Sequence, residues 1–458
     1  MNSLQLHPEN PHYLSFRGRP TVLVTSAEHY GSVLNLDFDY VRYLQTLAKD
    51  GMNYTRIFTG AYLEMPGAFG IRDNNLAPAP GRYISPWARS DQPGYANGGN
   101  KFDLACWDEA YFARLKNFVE LAGRHGIVVE VTLFSSIYDD NNWRLCPFFP
   151  DSNINSLNVP ERRMVQTLHN MDMLRYQEAL TRKVVTELNG FDNVIFELQN
   201  EPWADRPQLV EQIINPEAGM EWQTRVEQGD AESLAWQRAV AGWISETEEG
   251  LAHRHLIAQN YVNFYARLEE VDPRISILNF HYVWPEAVRL NASWKRVVSF
   301  DESGFSGSAD ATYRRQAWRF MLAGGGIFNN LDYSFSVGHE DGKGSHQAPG
   351  GGSPTLRQQL KLLRETLDGF DYIHASPVDL GRDAQALVNA DGGALVYLSK
   401  EAIQAVLDLP GGSYAAAWAS PESGDILDEQ SIAHAGGQMI LRAPLSAPDV
   451  YLTVKKVK

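Results

Sequence analysis

Cysteine is nearly absent from this sequence: Cys106 and Cys146 are the only two in 458 residues. Two thiols build neither a disulfide framework nor a cysteine-based zinc centre, so two free thiols are expected. No run of about 18 apolar residues occurs, and the opening Met1-Asn2-Ser3-Leu4-Gln5-Leu6-His7-Pro8 has no basic segment leading into an apolar one. The expectation is a soluble chain without a membrane partner, cytoplasmic as given. Positive charge is also in short supply, with 40 basic against 56 acidic residues and a formal charge of -16. That excludes the cationic surface a nucleic-acid partner needs and fits a neutral or cationic substrate better. No glycine-rich phosphate fingerprint follows the first candidate strand, and His29, His281 and His339 form neither an HExxH motif nor a Cys/His spacing. No cofactor and no metal are therefore expected. Internal repeats and long charge runs are missing too, and nothing fixes the oligomeric state.

What the chain does hold is ample apolar material, 44% of residues, and more length than one hydrophobic core usually carries. Short β-branched runs at 22–25, 53–59, 127–134, 194–199, 256–259, 275–280, 296–300 and 326–331 alternate with helical patterns. One helical face carries Phe112, Leu115, Phe118, Val119 and Ala122, and another carries Val240, Trp243, Ile244, Thr247 and Leu251. Each strand is expected to have its helix, the fifth and sixth connections being short. Eight such alternations predict an α/β fold, a (β/α)8 TIM barrel over residues 1–372.

After Gly369 the pattern turns to short alternating runs punctuated by Asp391-Gly392-Gly393, Pro410-Gly411-Gly412 and Ser423-Gly424. A small antiparallel β-sandwich over 373–458 is expected, packed on the barrel in a structural role. Barrel enzymes work on the loops that leave the C-terminal ends of their strands. Here the loops at 60–103 and 135–170 are long and aromatic, with Tyr62, Phe69, Tyr138 and Trp143 among their residues, and are expected to wall a cleft. The glycine-rich 334–354 segment reads as a lid or as a simple crossover.

Two segments deliver a glutamate from the end of an apolar strand: Val194-Ile195-Phe196-Glu197-Leu198-Gln199-Asn200-Glu201-Pro202 and Val297-Val298-Ser299-Phe300-Asp301-Glu302-Ser303-Gly304. Cleaving a glycosidic bond takes one carboxyl group to protonate the leaving oxygen and a second to attack or assist at the anomeric carbon. Glu197, Gln199 and Glu201 share strand parity, so a regular strand points all three one way, with Glu197 deeper as a paired interior polar group. Asp301 has the opposite parity to Glu302 and reads as a turn or bridge residue.

On these residues the chain resembles the retaining β-glycosidases of clan A, the barrel superfamily that includes family 5 cellulases and β-mannanases. Asn200-Glu201-Pro202 after the fourth strand, Glu302 after the seventh, Arg56 on the second and His281-Tyr282 after the sixth carry the resemblance, over roughly residues 20–370. Ser26-Ala27-Glu28-His29-Tyr30-Gly31 also looks like cellulase-like hydrolases. The resemblance implies Glu201 as general acid/base, Glu302 as nucleophile and Asn200 on the sugar 2-hydroxyl, with Arg56 and Tyr282 holding Glu302 ionised. Two positions depart from the family pattern. His281 and Tyr282 are adjacent rather than separated by one residue, leaving open which touches the nucleophile. The tryptophan usual after the eighth strand is replaced by Asn329-Asn330-Leu331-Asp332-Tyr333. The aromatic floor then falls to Tyr333, Trp203 or Trp284, and Asp332 becomes a candidate for sugar hydroxyls. Glu28 and His29 follow the first strand and are expected to hydrogen-bond substrate or to belong to a buried network behind Arg56.

The resulting expectation is a retaining β-glycoside hydrolase acting on a β-linked glycoside or oligosaccharide. A catalytically silent sugar-binding protein and a transglycosylase stand as alternatives, and the sugar and linkage stay open.

Overall fold

The computed structural model describes residues 3–158, 161–216, 218–381, 383–399, 402–444 and 448–457. Eight parallel strands form its centre: β1 (Leu23–Ala27), β2 (Tyr54–Phe58), β3 (Val128–Ser135), β4 (Val194–Asn200), β5 (Leu256–Asn263), β6 (Ile275–His281), β7 (Val297–Glu302) and β8 (Ile327–Leu331). Each is hydrogen-bonded to the next from β2 round to β8, and β8 pairs with β1. The β1–β2 seam is bridged by a side chain, since Asn53 accepts from the Val24 amide at 2.8 Å and donates to the Val22 carbonyl at 2.8 Å. All eight predicted strands are present, and the TIM barrel is the fold.

Amphipathic helices pack outside. Glu109–Arg124 buries Phe112, Leu115, Phe118, Val119 and Ala122, the face the spacing predicts, and Asp108 caps it by accepting from the Ala110 and Tyr111 amides. Ala231–Glu249 buries Val240, Trp243 and Ile244, but it stops before Gly250 and leaves Leu251 outside. The expectation of a helix after every strand fails once: among the described residues none joins β5 to β6, where residues 264–274 run as turns. Eleven residues are too few for a helix of useful length plus two turns.

The periodicity gave no sign of the floor of the barrel. A three-stranded antiparallel meander (Gln5–Leu6, Leu14–Phe16, Arg19–Thr21) places Leu4, Leu14 and Phe16 against the first residues of the barrel strands, including Tyr54, Ile195 and Ile277. The 334–354 segment is a packed crossover rather than a lid. Tyr333 donates to the Gly351 carbonyl and Gly344 to that of Ser334, and a Cβ on Gly350 would lie 1.9 Å from the Gly304 carbonyl oxygen.

The last strands form a six-stranded antiparallel sheet and a two-stranded one (Gln404–Leu409 with Gly437–Arg442) around their own core of Leu407, Tyr414, Trp418 and Leu441. Trp418 is buried there, so it offers no sugar platform. Trp318 of the barrel stacks on Tyr397 and Tyr451, and Arg314 pairs with Asp449 at 2.9 Å, which docks this β-domain on the barrel. Among the described residues no helix is long and apolar enough to cross a membrane.

Candidate active site

At the C-terminal ends of the strands a cavity of about 600 Å³ opens, and Glu201 and Glu302 both line it. Each sits where its strand stops. β7 ends on Glu302, and Gly304 turns the chain sharply at φ 110°, where a Cβ would meet the Leu331 side chain at 2.6 Å. β4 ends on Asn200, and Glu201 adopts a left-handed conformation (φ 45°, ψ 59°) before Pro202 opens a helical turn. Its amide is held by the Asn260 side chain at 2.8 Å and its carbonyl by the Ser136 hydroxyl at 2.7 Å. Nine non-glycine residues have positive φ among those described, and five of them line this cavity: Tyr30, Phe69, Tyr138, Glu201 and Tyr282. Backbone strain of this kind persists only where surrounding structure enforces it, and it concentrates at functional sites.

The two carboxylates have different partners. Glu201 meets His281 Nδ1 at 2.8 Å and accepts from the Tyr138 hydroxyl at 2.7 Å. Glu302 accepts from Tyr282 at 2.8 Å and from Tyr30 at 2.9 Å, with Arg56 Nη1 at 3.4 Å. The adjacent His281 and Tyr282 both reach the pair: the tyrosine is closer to Glu302, with Glu201 at 3.4 Å, and the histidine is closer to Glu201, with Glu302 at 3.6 Å. Asn200 accepts from Arg56 at 2.7 Å and donates to the Tyr138 hydroxyl at 2.9 Å. Oxygens of Glu201 and Glu302 and a nitrogen of His281 all lie within 4.8 Å of one another.

Burial raises the Glu201 carboxyl, but the hydrogen bond and charge of His281 and the Tyr138 hydroxyl outweigh it and hold the group below its ordinary value. Burial raises Glu302, the charge of Glu201 adds to this, and His281 and Arg56 only partly oppose it. Burial lowers His281, yet the charges of Glu302 and Asp301 bring it well above the usual histidine value. The two environments therefore push in opposite directions, Glu201 downward through His281 and Tyr138 and Glu302 upward through burial and the charge of Glu201. The charge of Arg56 lowers Glu302, in the expected direction, but does not outweigh burial and the charge of Glu201. The reason is geometric: Arg56 spends its closest contacts on Glu197, at 2.6 Å and 2.9 Å, and on Asn200.

Below the cavity Glu130, Glu197 and Asp301 form a fully buried acidic group around Arg56, with oxygens of all three within 4.8 Å. Arg56 contacts Glu197 at 2.6 Å and Asp301 at 3.6 Å there, and above it His281 contacts Glu201 at 2.8 Å and Glu302 at 3.6 Å. Asp301 acts as a bridge residue, 3.6 Å from Arg56 and 3.4 Å from His281 Nε2. Gln199 does not share the face of Glu197: it contacts Ser136 and Ser233, because regular alternation ends before Asn200.

Four further candidates fall outside the cavity wall. Glu28 is fully buried and accepts from the Gly31 and Ser32 amides and from Asn75, so it clamps a turn instead of facing substrate. Asp332 is consumed by Arg357 at 2.7 Å and by the Ser26 and Ser334 hydroxyls. Tyr333 is buried beside His29 with ring centroids 6.2 Å apart. Trp284 lines a separate smaller cavity, against Tyr265 and Phe264. His29 and Trp203 do line the main cavity, Trp203 with its ring edge-on to His281 at 5.5 Å.

Phe58, Glu64, Leu76 and Phe305 line the cavity without having been singled out in the sequence, and three more such residues come from an insertion. After β4 a hairpin, Pro207–Gln212 with Arg225–Gly229, joins the edge of β5 and brings Met220, Trp222 and Glu227 to the cavity. The Trp222 ring lies 4.7 Å from that of Tyr282.

No protein-family model matches the sequence, and no curated protein matches it. Solved structures do. A family 5 glycoside hydrolase from Bacteroides vulgatus ATCC 8482 superposes with a TM-score of 0.63 at 14% identity, covering 99% of this chain and 92% of that one. A second protein of that organism, described provisionally as a glycoside hydrolase, gives 0.66 at 12% identity over 100% and 82%. A third structure, named only as a glycoside hydrolase, gives 0.59 at 15% identity over 99% and 97%. At these identities the likeness is one of fold: this chain has the barrel and β-domain architecture of those proteins.

Proposed function

We propose that the chain is a retaining β-glycoside hydrolase acting on a β-linked glycoside or oligosaccharide. The observation that carries this is the pair of cavity glutamates on facing strand ends, with oxygens within 4.8 Å. Carboxyl groups about 5–5.5 Å apart suit a double displacement, whereas an inverting enzyme needs roughly 6.5–9.5 Å to admit a water between them.

In this reading Glu302 attacks the anomeric carbon as the bond to the leaving oxygen breaks, and Glu201 delivers its proton to that oxygen. Tyr30 and Tyr282 hold the Glu302 carboxylate in position. Forming the ester removes the Glu302 charge, so Glu201, now a carboxylate, takes a proton from water. The resulting hydroxide adds to the anomeric carbon and frees Glu302. The productive distribution has the proton on Glu201, whose carboxyl lies 2.8 Å from His281 Nδ1.

The test is hydrolysis of a panel of aryl β-glycosides and β-linked oligosaccharides by the wild type and Glu302→Gln, with the first-formed anomer followed by NMR. Retained configuration and a loss of roughly a thousandfold or more in the variant are expected. Inverted product, or an unimpaired variant, would refute the assignment.

A further inference from the structure

Three carboxylates are buried beneath the cavity, and the fold treats one of them differently. Glu130 accepts from Tyr54 and Asn279, and Glu197 accepts from Arg56 and Asn279. Neither oxygen of Asp301 accepts a hydrogen bond from a described residue, although the side chain is fully buried. Burying a carboxylate without hydrogen bonds is costly, so its retention calls for a role outside packing.

The backbone aims it. On the β6–β7 ladder Phe280 pairs with Phe300 and His281 with Glu302, which makes Asp301 the extra residue of a bulge. Bulges re-aim side chains and are over-represented beside active sites. Here Asp301 and Glu302, adjacent in sequence, both reach Arg56 and His281, which strict alternation would forbid. Asp301 Oδ2 lies 3.4 Å from His281 Nε2, an ion-pair contact rather than an aligned hydrogen bond, and Nε2 donates to no described residue. Across the ring Nδ1 lies 2.8 Å from Glu201. Asp301, His281 and Glu201 thus form a line from the barrel interior to the cavity. A carboxylate behind Nε2 favours the proton there and settles the tautomer. Nδ1 can then accept from a protonated Glu201 when the ring is neutral and donate to an ionised one when it is charged.

We infer that Asp301 is the positioning residue of the acid/base: it holds the Nε2 side of His281 and, through the ring, orients Glu201. This rests on the hydrolase reading and adds a third carboxylate to its machinery. The surrounding charges agree. Arg56 faces Asp301 from β2 and His281 from β6, and oxygens of Glu130 on β3 and Glu197 on β4 lie within 4.8 Å of its own. The Tyr30 and Tyr54 hydroxyls, raised first by burial, are raised further by its charge. Burial lowers His281, and the charges of Glu302 and Asp301 raise it. Glu197 already pairs with Arg56 at 2.6 Å, so that cation does not depend on Asp301.

The test is Asp301→Asn, which keeps the size and removes the charge. Its amide can turn either its oxygen or its NH2 towards Nε2, so the tautomer is no longer fixed. In protein labelled with 15N-histidine, the His281 signals, identified by their absence in His281→Asn, read ring charge and tautomer across pH without substrate. In Asp301→Asn the ring is expected to lose its charge at lower pH than in the wild type. On the accepted glycoside kcat/KM should fall about ten- to a hundredfold, within the hundred- to ten-thousandfold that a positioned acid/base supplies. The urea midpoint should stay at or above that of the wild type. An unchanged His281 titration, or an unimpaired kcat/KM, overturns the inference. A midpoint lowered as far as in Arg56→Met overturns it too and assigns Asp301 to the charge balance of the barrel. A wild type that turns over no glycoside removes the hydrolase reading, and this role with it; the labelled ring tells the two failures apart because it needs no turnover.

Discussion

Arg56 and Glu197 form a fully buried ion pair, Nη2 to Oε2 at 2.6 Å, directly beneath the cavity that Glu302 lines. The guanidinium also lies against the Tyr30 ring at 4.7 Å and stands within 3.6 Å of Asp301, so one cation serves several carboxylates at once.

Removing that cation is the first prediction. Arg56→Met leaves Glu197 and Asp301 buried without compensation, and breaking a buried pair in this way typically costs about 3–5 kcal/mol. A loss of that size is expected in urea unfolding at neutral pH, together with loss of activity. Arg56→Lys keeps the charge but cannot reach Glu197 and Asn200 in one plane, and should fall between. Wild-type stability in Arg56→Met would mean that the acidic group protonates at no cost.

His281 sets the second. Its charge and hydrogen bond lower Glu201, and its charge opposes the rise of Glu302. His281→Asn therefore lets both carboxyls rise. The acid limb of the kcat/KM profile reports loss of a proton from the pair and the basic limb loss of the second. Both limbs are expected to move to higher pH. A profile that shrinks in height with both limbs fixed would reduce His281 to a spacer.

The site was legible in the sequence wherever a side chain is placed by the end of a strand. Glu201, Glu302, Arg56, Asn200 and Tyr282 are fixed by β-strand ends and interiors, which alternation reveals, and the structure groups all five. Residues placed by long-range pairing were not legible. Asp332 follows β8 as a sugar ligand would, but Arg357, 25 residues on, claims it. Glu28 follows β1 in the same way, and only the turn at Gly31 and Ser32 with Asn75 shows it to be a clamp. Trp222 lies in a hairpin whose strands carry no steady alternation, since a register shift falls between Leu209 and Glu211. The strand Ile426–His434 offers no pattern for a related reason: it is an edge strand, largely exposed, with no apolar face to read.

The thiols give a third prediction. Cys106 is exposed and Cys146 buried, where burial pushes its thiol far up. One thiol per chain should react with a disulfide reagent under native conditions and two in denaturant. The Cys106 thiol is itself raised by its hydrogen bond to Asp103, so Asp103→Asn should speed the native reaction. Two equally fast native thiols would show Cys146 reachable from solvent.

Glu130 gives the last. It is fully buried, accepts from Tyr54 at 2.7 Å and from Asn279 at 2.6 Å, and burial together with the charges of Glu197 and Asp301 pushes its carboxyl up to about 8. Its ordinary value is 4.5, so between there and about 8 the unfolded chain has released this proton while the folded chain keeps it. The folded state binds more protons over that window, and stability falls as pH rises through it. Glu130→Gln imitates the protonated form at every pH, and the Tyr54 hydroxyl can turn to accept from the new amide. The variant should match the wild type near pH 4.5 and exceed it increasingly up to about pH 8, as urea midpoints across that range would show. Parallel stability profiles for the two proteins would mean that Glu130 is ionised in the fold, with Arg56 compensating more than the Glu197 pair leaves it free to do.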